Sequence, residues 1–213
     1  MNMILVTGFG PYKEDMNASG TLVQSFKDEL PPELVFLQQW LTFEVITCDD
    51  SSRETEHQTL EQQLSELLKR YRPLLCIHTG QAPPYNKITI EKIATNSFMR
   101  EVIDPDRPVA YWSNLPGTDD MRGILEKQSI PCGYSFYAGQ HLCNHILYSS
   151  LYFADNNGHS HNSGFIHVPL LPEQVATQHR DSPCMPIEMT RKALSLIIKH
   201  AAAVHQQNMP FQP

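Results

Sequence analysis

Three side chains in this 213-residue sequence have the chemistry that acyl transfer requires: Cys143, His167 and Glu91. A cysteine attacks a carbonyl as its thiolate, an imidazole takes up the thiol proton and returns it to the leaving group, and a carboxylate fixes the imidazole tautomer. Each also has a plainer reading. A single cysteine is more often a buried structural residue. A lone histidine on an apolar strand is usually a hydrogen-bonded core residue, and a carboxylate inside a strand pattern usually faces solvent. The sequence does not show the three to be neighbours. What it offers is one residue of each type, each oddly placed within its own segment.

The segment around the cysteine is the most informative. Residues 135–148, SFYAGQHLCNHILY, read as a strand, a tight turn at Gly139 and then a helix in which Leu142, Ile146 and Leu147 recur at helical spacing. The strand is expected over 130–138 and the helix over 141–153. Cys143 then falls in the first helical turn, where unpaired backbone amides and the positive end of the helix dipole favour the thiolate. His167 is the one polar residue of an apolar strand over 164–171, GFIHVPLL, and Glu91 lies among Ile88, Ile90, Ile93 and Ala94.

The remaining pattern supplies a scaffold. Residues 3–9 and 74–80 are apolar runs that end in or next to glycine, as buried parallel strands do. Cys76 and His78, within the second run, read as core residues. Ser19 is the expected N-cap of a helix over 21–30 that Pro31-Pro32 ends, and 35–47 reads as a strand or bent hairpin. A polar helix over 52–71 carries an apolar stripe of Leu60, Leu64, Leu67 and Leu68, and Pro73 stops it. Residues 104–117 read as an ordered loop, 121–128 as a short helix and 186–207 as a long amphipathic helix. The last residues, MPFQP, are expected to be mobile. Alternating strands and helices define an α/β layer fold, and 213 residues with no visible linker suit a single domain over 1–213.

Composition excludes several classes. A net charge of -7 without clustered Lys and Arg argues against nucleic-acid binding. No stretch is long enough to span a membrane, and the apolar start is too short for a secretion signal, so a cytoplasmic protein is expected. Five widely spread cysteines suit reduced thiols, and without a CxxC pair a cysteine-based zinc site is not expected. His159 and His161 lie in a turn-rich loop and read as solvated rather than metal-binding. The run Gly8-Phe9-Gly10-Pro11-Tyr12-Lys13 lacks the spacing of a phosphate loop. It does put two aromatics, Phe9 and Tyr12, at the carboxyl end of a first strand, where open α/β sheets hold ligands.

Taken together, VTGFGPY at the start, GQA followed by ITIEKIATN, YAGQHLCNHILY and GFIHVPLLPEQ resemble the pyrrolidone-carboxylate peptidases, or type I pyroglutamyl peptidases, over nearly the whole chain. The resemblance implies a three-layer α/β/α sandwich around a mixed, mostly parallel sheet, no cofactor, no metal and a homotetramer. It implies Cys143 as nucleophile, His167 as proton carrier and Glu91 as its orienting carboxylate, in the removal of N-terminal pyroglutamate from peptides through a thioester. It further implies that Phe9, Tyr12, Asn17, Gln81, His141 and Leu142 line a pocket for the lactam, with Arg100 assisting the oxyanion. The chain departs from the family pattern where His141 replaces an aromatic residue, where Pro83-Pro84 follow GQA in place of glycines, and in a shorter loop between Arg100 and Trp112. Two other readings remain: the same triad acting on another lactam or small N-acyl amide, and a non-catalytic binding protein on this scaffold.

Overall fold

The computed structural model describes residues 3–12, 14–48, 53–156 and 158–208. Lys13, the expected helix start at Ser52 and the expected mobile tail 209–213 lie outside the described residues. In chain order the elements are β1 (Ile4–Phe9), α1 (Ala18–Asp28), β2 (Leu41–Ile46), α2 (Arg53–Tyr71) and β3 (Leu75–Gln81). Next come β4 (Ile88–Glu91), β5 (Ile93–Thr95), β6 (Ser97–Phe98), β7 (Glu101–Val102), β8 (Ala110–Trp112) and α3 (Thr118–Glu126). The chain continues through β9 (Cys132–Ser135), α4 (Leu142–Asn156), β10 (Asn162–Val168), α5 (Pro172–Thr177) and α6 (Ile187–Asn208).

Six strands form one sheet in the order β2-β1-β3-β10-β4-β9. The first four run parallel, β4 lies antiparallel to β10, and β9 runs parallel to β4, so the sheet is mixed and mostly parallel as expected. Alternate residues along each strand serve opposite faces. Val6, Ile77 and Ile166 join Leu22 of α1, Leu125 of α3 and Ile197 of α6 on one side. Leu5, Cys76 and Phe165 join Leu64 of α2 and Leu147 of α4 on the other. Helices therefore cover both faces, which explains why β1 is buried along its full length and reads as an unbroken apolar run. Among the described residues, no helix is long and apolar enough to cross a membrane.

Several boundaries differ from those expected, each for a local reason. Asn17, not Ser19, caps α1, its Oδ1 accepting from the Ser19 amide at 3.0 Å. Ser19 instead uses its hydroxyl to accept from the Phe9 amide. The first half of the expected strand over 35–47 is a 3-10 helix, Pro32–Trp40, begun by the proline that fixes φ there. The strand before Cys143 ends at Ser135, where its pairing with Glu91 on β4 ends, and a six-residue connection over 136–141 replaces a tight turn. Gly139 does adopt the positive φ, +88°, expected of it. The expected loop over 104–117 contains β8, which pairs with β5. His161 is buried and meets Ser150 Oγ at 3.1 Å, so it anchors the loop and is not solvated, while His159 stays half-exposed with its ring on the Pro73 carbonyl.

Two contacts matter for what the fold must hold. A Cβ on Gly8 would fall 2.3 Å from the Ser19 carbonyl oxygen, and one on Gly20 would fall 2.2 Å from that of Phe9. Backbone thus rests directly on backbone where β1 feeds α1. On the other face Glu61 of α2 accepts from Arg107 at 2.8 Å and from Ser149 of α4 at 2.9 Å, with His145 Nε2 at 3.6 Å. Burial pushes the Glu61 carboxyl up, but His145, Arg107 and Ser149 outweigh it and hold the pKa down at about 2. A depressed carboxylate contributes stability above its ordinary value of 4.5 that is lost as pH falls toward about 2. Glu61→Gln is therefore expected to be less stable at neutral pH and to show a flatter fall of stability across that acid window, measured by urea unfolding at several pH values.

Candidate active site

Cys143 is the second residue of α4, as its spacing predicted, and the residue is half-buried. The backbone amides of a helix's first turn lack carbonyl partners within the helix and carry the positive end of its dipole. Asn144 fixes the helix end in place. Its Oδ1 accepts from the Thr95 amide at 2.8 Å, and its Nδ2 donates to the carbonyls of Thr95 at 2.9 Å and Ser97 at 2.7 Å. Asn144 is 1% exposed, so those backbone groups would lose their partners if it were removed.

Below the sulfur lies the sheet. A Cβ on Gly80 would fall 2.8 Å from Cys143 Sγ and 2.6 Å from Phe165 Cζ, so a side chain at position 80 would displace the thiol. Gly80 is the register partner of His167 on β10, and the Cys143 thiol lies near enough to the His167 ring to be the first of the groups that raise its pKa. The other side of the imidazole is held by Glu91, with Nδ1 to Oε1 at 2.7 Å. The pattern reading of Glu91 as an outward, solvated residue is overturned: it is fully buried, because the antiparallel β4 lies inside the sheet between β10 and β9. Its second oxygen, Oε2, is buried without a hydrogen-bond partner among the described residues.

Electrostatics single out this imidazole. Burial pulls the His167 pKa down, yet Cys143 and then Glu91 raise it to about 9. The buried His78 goes the opposite way: burial first, then His161, lowers its pKa to about 3, and it stays neutral. Burial likewise pushes the Cys76 thiol up to about 12 and the Cys132 thiol up to about 11, as expected of inert core cysteines. The arrangement gives a reachable sulfur, a protonated imidazole and a dry carboxylate in sequence. That order suits attack on an acyl carbon followed by proton delivery to the leaving group.

The other residues singled out in the sequence group around this triad unevenly. Phe9 is buried at the end of β1. The Tyr12 ring lies 5.5 Å from that of His141, which also lies 5.4 Å from Phe98, and Leu142 is buried beside them. Gln81 follows Gly80, and its Oε1 accepts from the Ala18 amide at 2.8 Å and from Gln174 at 3.0 Å. Asn17, besides capping α1, accepts from the Ser19 hydroxyl at 2.7 Å. Arg100 is exposed in the two-residue turn between β6 and β7, where it and Met99 both have positive φ, and its guanidinium makes no hydrogen bond or ion pair among the described residues. Sequence reasoning missed Tyr85, whose ring meets His167 edge-on at 5.4 Å, along with Phe165 at 4.8 Å, Asn144 and Gln174. Asn144 follows Cys143 directly, and that adjacency was the available signal. Among the described residues, no group of three or more His, Cys, Asp or Glu could hold a metal.

The placing of Cys143, His167 and Glu91 in line suits chemistry at a cysteine, and comparison with known proteins narrows it. The sequence profile described as pyroglutamyl peptidase matches residues 2–204. The pyrrolidone-carboxylate peptidase of Thermococcus litoralis is 30% identical over 93% of this chain and 92% of its own, and that of Brachyspira hyodysenteriae is 32% identical over 92% and 96%. The solved structure of the Thermococcus litoralis enzyme superposes with a TM-score of 0.84 at 26% identity over 100% of both chains. A mutant pyrrolidone carboxyl peptidase from Pyrococcus furiosus gives 0.81 at 28% identity over 94% of this chain and 98% of its own. The chain belongs to the pyroglutamyl peptidase family.

The raised His167 pKa carries a stability signature. A group whose folded pKa exceeds its unfolded value contributes stability that is complete below 6.5 and fades as pH rises through about 9. Glu91→Gln removes one of the charges that raises it. The His167 ring, followed by NMR titration, should then titrate at lower pH, and the alkaline loss of stability should begin earlier. Gly80→Ala should slow iodoacetamide alkylation of Cys143 by about tenfold or more, since the sulfur must move off the imidazole to make room.

Proposed function

We infer that this protein is a cysteine peptidase that removes an N-terminal pyroglutamyl residue from peptides. The observation that carries the reading is the reachable Cys143 sulfur against a His167 imidazole whose far side is held by the buried Glu91. Family membership supplies the substrate class. In the reaction, the Cys143 thiolate forms a C–S bond to the pyroglutamyl carbonyl carbon. The tetrahedral oxyanion faces the amides of the first turn of α4. The C–N bond then breaks as the His167 imidazolium protonates the departing amine, leaving a thioester and a neutral imidazole. Water attacks the thioester, the imidazole takes its proton, and the thiolate leaves with free pyroglutamate as product.

The lactam end of the substrate is flat and uncharged, and the residues assigned to its pocket suit it. Phe9, Tyr12, His141 and Leu142 supply ring faces and apolar surface. The side-chain oxygens of Asn17 and Gln81 are both committed to donors inside the protein, so their amide nitrogens are what each has left to offer. An uncharged lactam carbonyl accepts from such donors. Arg100, exposed beside the segment that leads to Cys143 through the Met99 amide bond to the Gln140 carbonyl, is read as an outer contact of the acyl group. All five cysteines are free thiols, which supports a reducing, cytoplasmic setting. The exposed Val35, Phe36, Val109, Trp112, Phe136 and Tyr137 support a homo-oligomer, a tetramer by family resemblance.

Hydrolysis of a fluorogenic pyroglutamyl amide is the direct assay. Turnover is expected for the lactam and not for free-amine or N-acetyl analogues, and iodoacetamide should modify Cys143 first. Cys143→Ala should reduce the rate to background, and undiminished cleavage by that variant would refute the mechanism. The rate should fall on an alkaline limb near pH 9, where His167 gives up the proton the leaving amine needs.

A further inference from the structure

β10 lies between β3 and β4 in the sheet, so the chain leaving β3 at Gln81 has to cross the carboxyl end of β10 before it enters β4 at Ile88. The crossing is held at both ends. The Ala82 amide donates to the carbonyl of Val168, the neighbour of His167, at 2.9 Å, and the Ile88 amide donates to the Pro131 carbonyl at 3.0 Å. Between them Pro83 and Pro84 fix two successive φ angles, and the Tyr85 amide closes a turn onto the Ala82 carbonyl at 3.0 Å. Tyr85 is thereby set over the end of the strand that carries the imidazole, its ring 5.4 Å from that of His167 at an interplanar angle of 89°. With the rings at right angles, His167 takes at most one face of Tyr85, whichever ring presents its edge. No other ring and no cation packs on Tyr85 among the described residues, and its hydroxyl has no hydrogen-bond partner there. The side chain is half-buried, and the reaction steps give it no part.

We propose that Tyr85 is a specificity-determining residue: the open face of its ring receives the side chain of the amino acid that follows pyroglutamate, so that peptides with an aromatic second residue are cleaved in preference. This rests on the pyroglutamyl reading above. Nδ1 of His167 is committed to Glu91 at 2.7 Å, which leaves Nε2 to serve the departing amine. Proton delivery brings that amine to about 3 Å from Nε2, and the side chain it carries begins at the next carbon. A ring standing 5.4 Å from the imidazole is within stacking range of such a side chain. Strand order supplies the direction. Phe9 and Asn17, assigned to the lactam, come from the end of β1 and the start of α1, whereas the crossing that carries Tyr85 leads from β3 over β10 to β4. The acyl half of the substrate and its departing half therefore fall on opposite sides of the imidazole, and Tyr85 stands on the departing side.

The probes are pyroglutamyl-phenylalaninamide and pyroglutamyl-alaninamide, with release of the free amine followed for each. Wild type should show a kcat/KM about tenfold higher for the phenylalanine substrate. Tyr85→Phe keeps the ring and should keep the preference. Tyr85→Ala should reduce it to about twofold or less, with the loss specific to the phenylalanine substrate falling on KM more than on kcat. A ring that only shields His167 from water would, when removed, slow both substrates alike and leave their ratio unchanged. The ratio therefore separates recognition from shielding. Its retention in Tyr85→Ala overturns the proposal, and so does a loss in Tyr85→Phe as complete as that in Tyr85→Ala. Wild type alone supplies a test that needs no variant to fold. Equal turnover of the two substrates overturns this proposal and leaves the pyroglutamyl reading standing, whereas turnover of neither, with Cys143 still alkylated by iodoacetamide, overturns both.

Discussion

A carboxylate and an imidazole shut away from water inside a sheet are the constraint on which the rest of this structure depends. Glu91 is fully buried with one oxygen on His167 and the other without a hydrogen bond among the described residues. A buried anion so sparsely solvated is costly unless a cation stands beside it. The imidazolium is the cation beside it, and Cys143 first and then Glu91 hold the His167 proton to about pH 9 against the pull of burial. Phe165 and Tyr85 meet the ring edge-on and keep water from competing for it. The pair thus does two things at once: it ties β4 to β10, and it keeps a proton on the ring beside the Cys143 thiol.

The fold meets this constraint with an antiparallel strand in an otherwise parallel region. Parallel β1, β3 and β10 bring their carboxyl ends to one edge, and with them Phe9, Gln81 and His167. Running β4 the other way sets Thr89 opposite His167 and Glu91 opposite Phe165, two residues deeper, so the carboxylate approaches the imidazole from within the sheet. Cys143 comes from a separate element. Asn144 docks the start of α4 on β5 and β6, and the absence of a side chain at Gly80 leaves room for the sulfur above β3.

Much of this was legible in the sequence because it depends on local chemistry. Cys143 reads as the start of a helix from the spacing of Leu142, Ile146 and Leu147, and β1, β3 and β10 read as buried strands from their unbroken apolar runs. Glu91 was not legible as buried. A four-residue strand with polar neighbours looks solvated until its partners on both sides are known, and those partners are distant in sequence. The capping of α1 by Asn17 rather than Ser19 turned on a choice between adjacent hydroxyl and amide groups that only the contact between Ser19 and the Phe9 amide decides. Short strands such as β8 have no pattern of their own and exist because β5 is there to pair with. The resemblance to a family carried what residue-by-residue reading could not, namely that three distant side chains meet.

On the proposed function, two of the departures that the family resemblance implies, Pro83-Pro84 and His141, lie among the rings around the site. Pro83-Pro84 stiffen the turn after Gln81 and lead directly to Tyr85, whose ring lies against His167. His141, in place of a carbocyclic aromatic, sits between Tyr12 and Phe98. Neither change reaches the sulfur, the imidazole nitrogen that faces Glu91, or the amide oxygens of Asn17 and Gln81. The reacting atoms and the hydrogen-bond donors are therefore held by backbone and buried side chains, whereas the pocket walls are built from rings that can be exchanged. An enzyme divided in this way can change what it admits without changing how it cleaves, because the costly part, a dry ion pair aligned on a thiol, is insulated from the part that meets the substrate's outline.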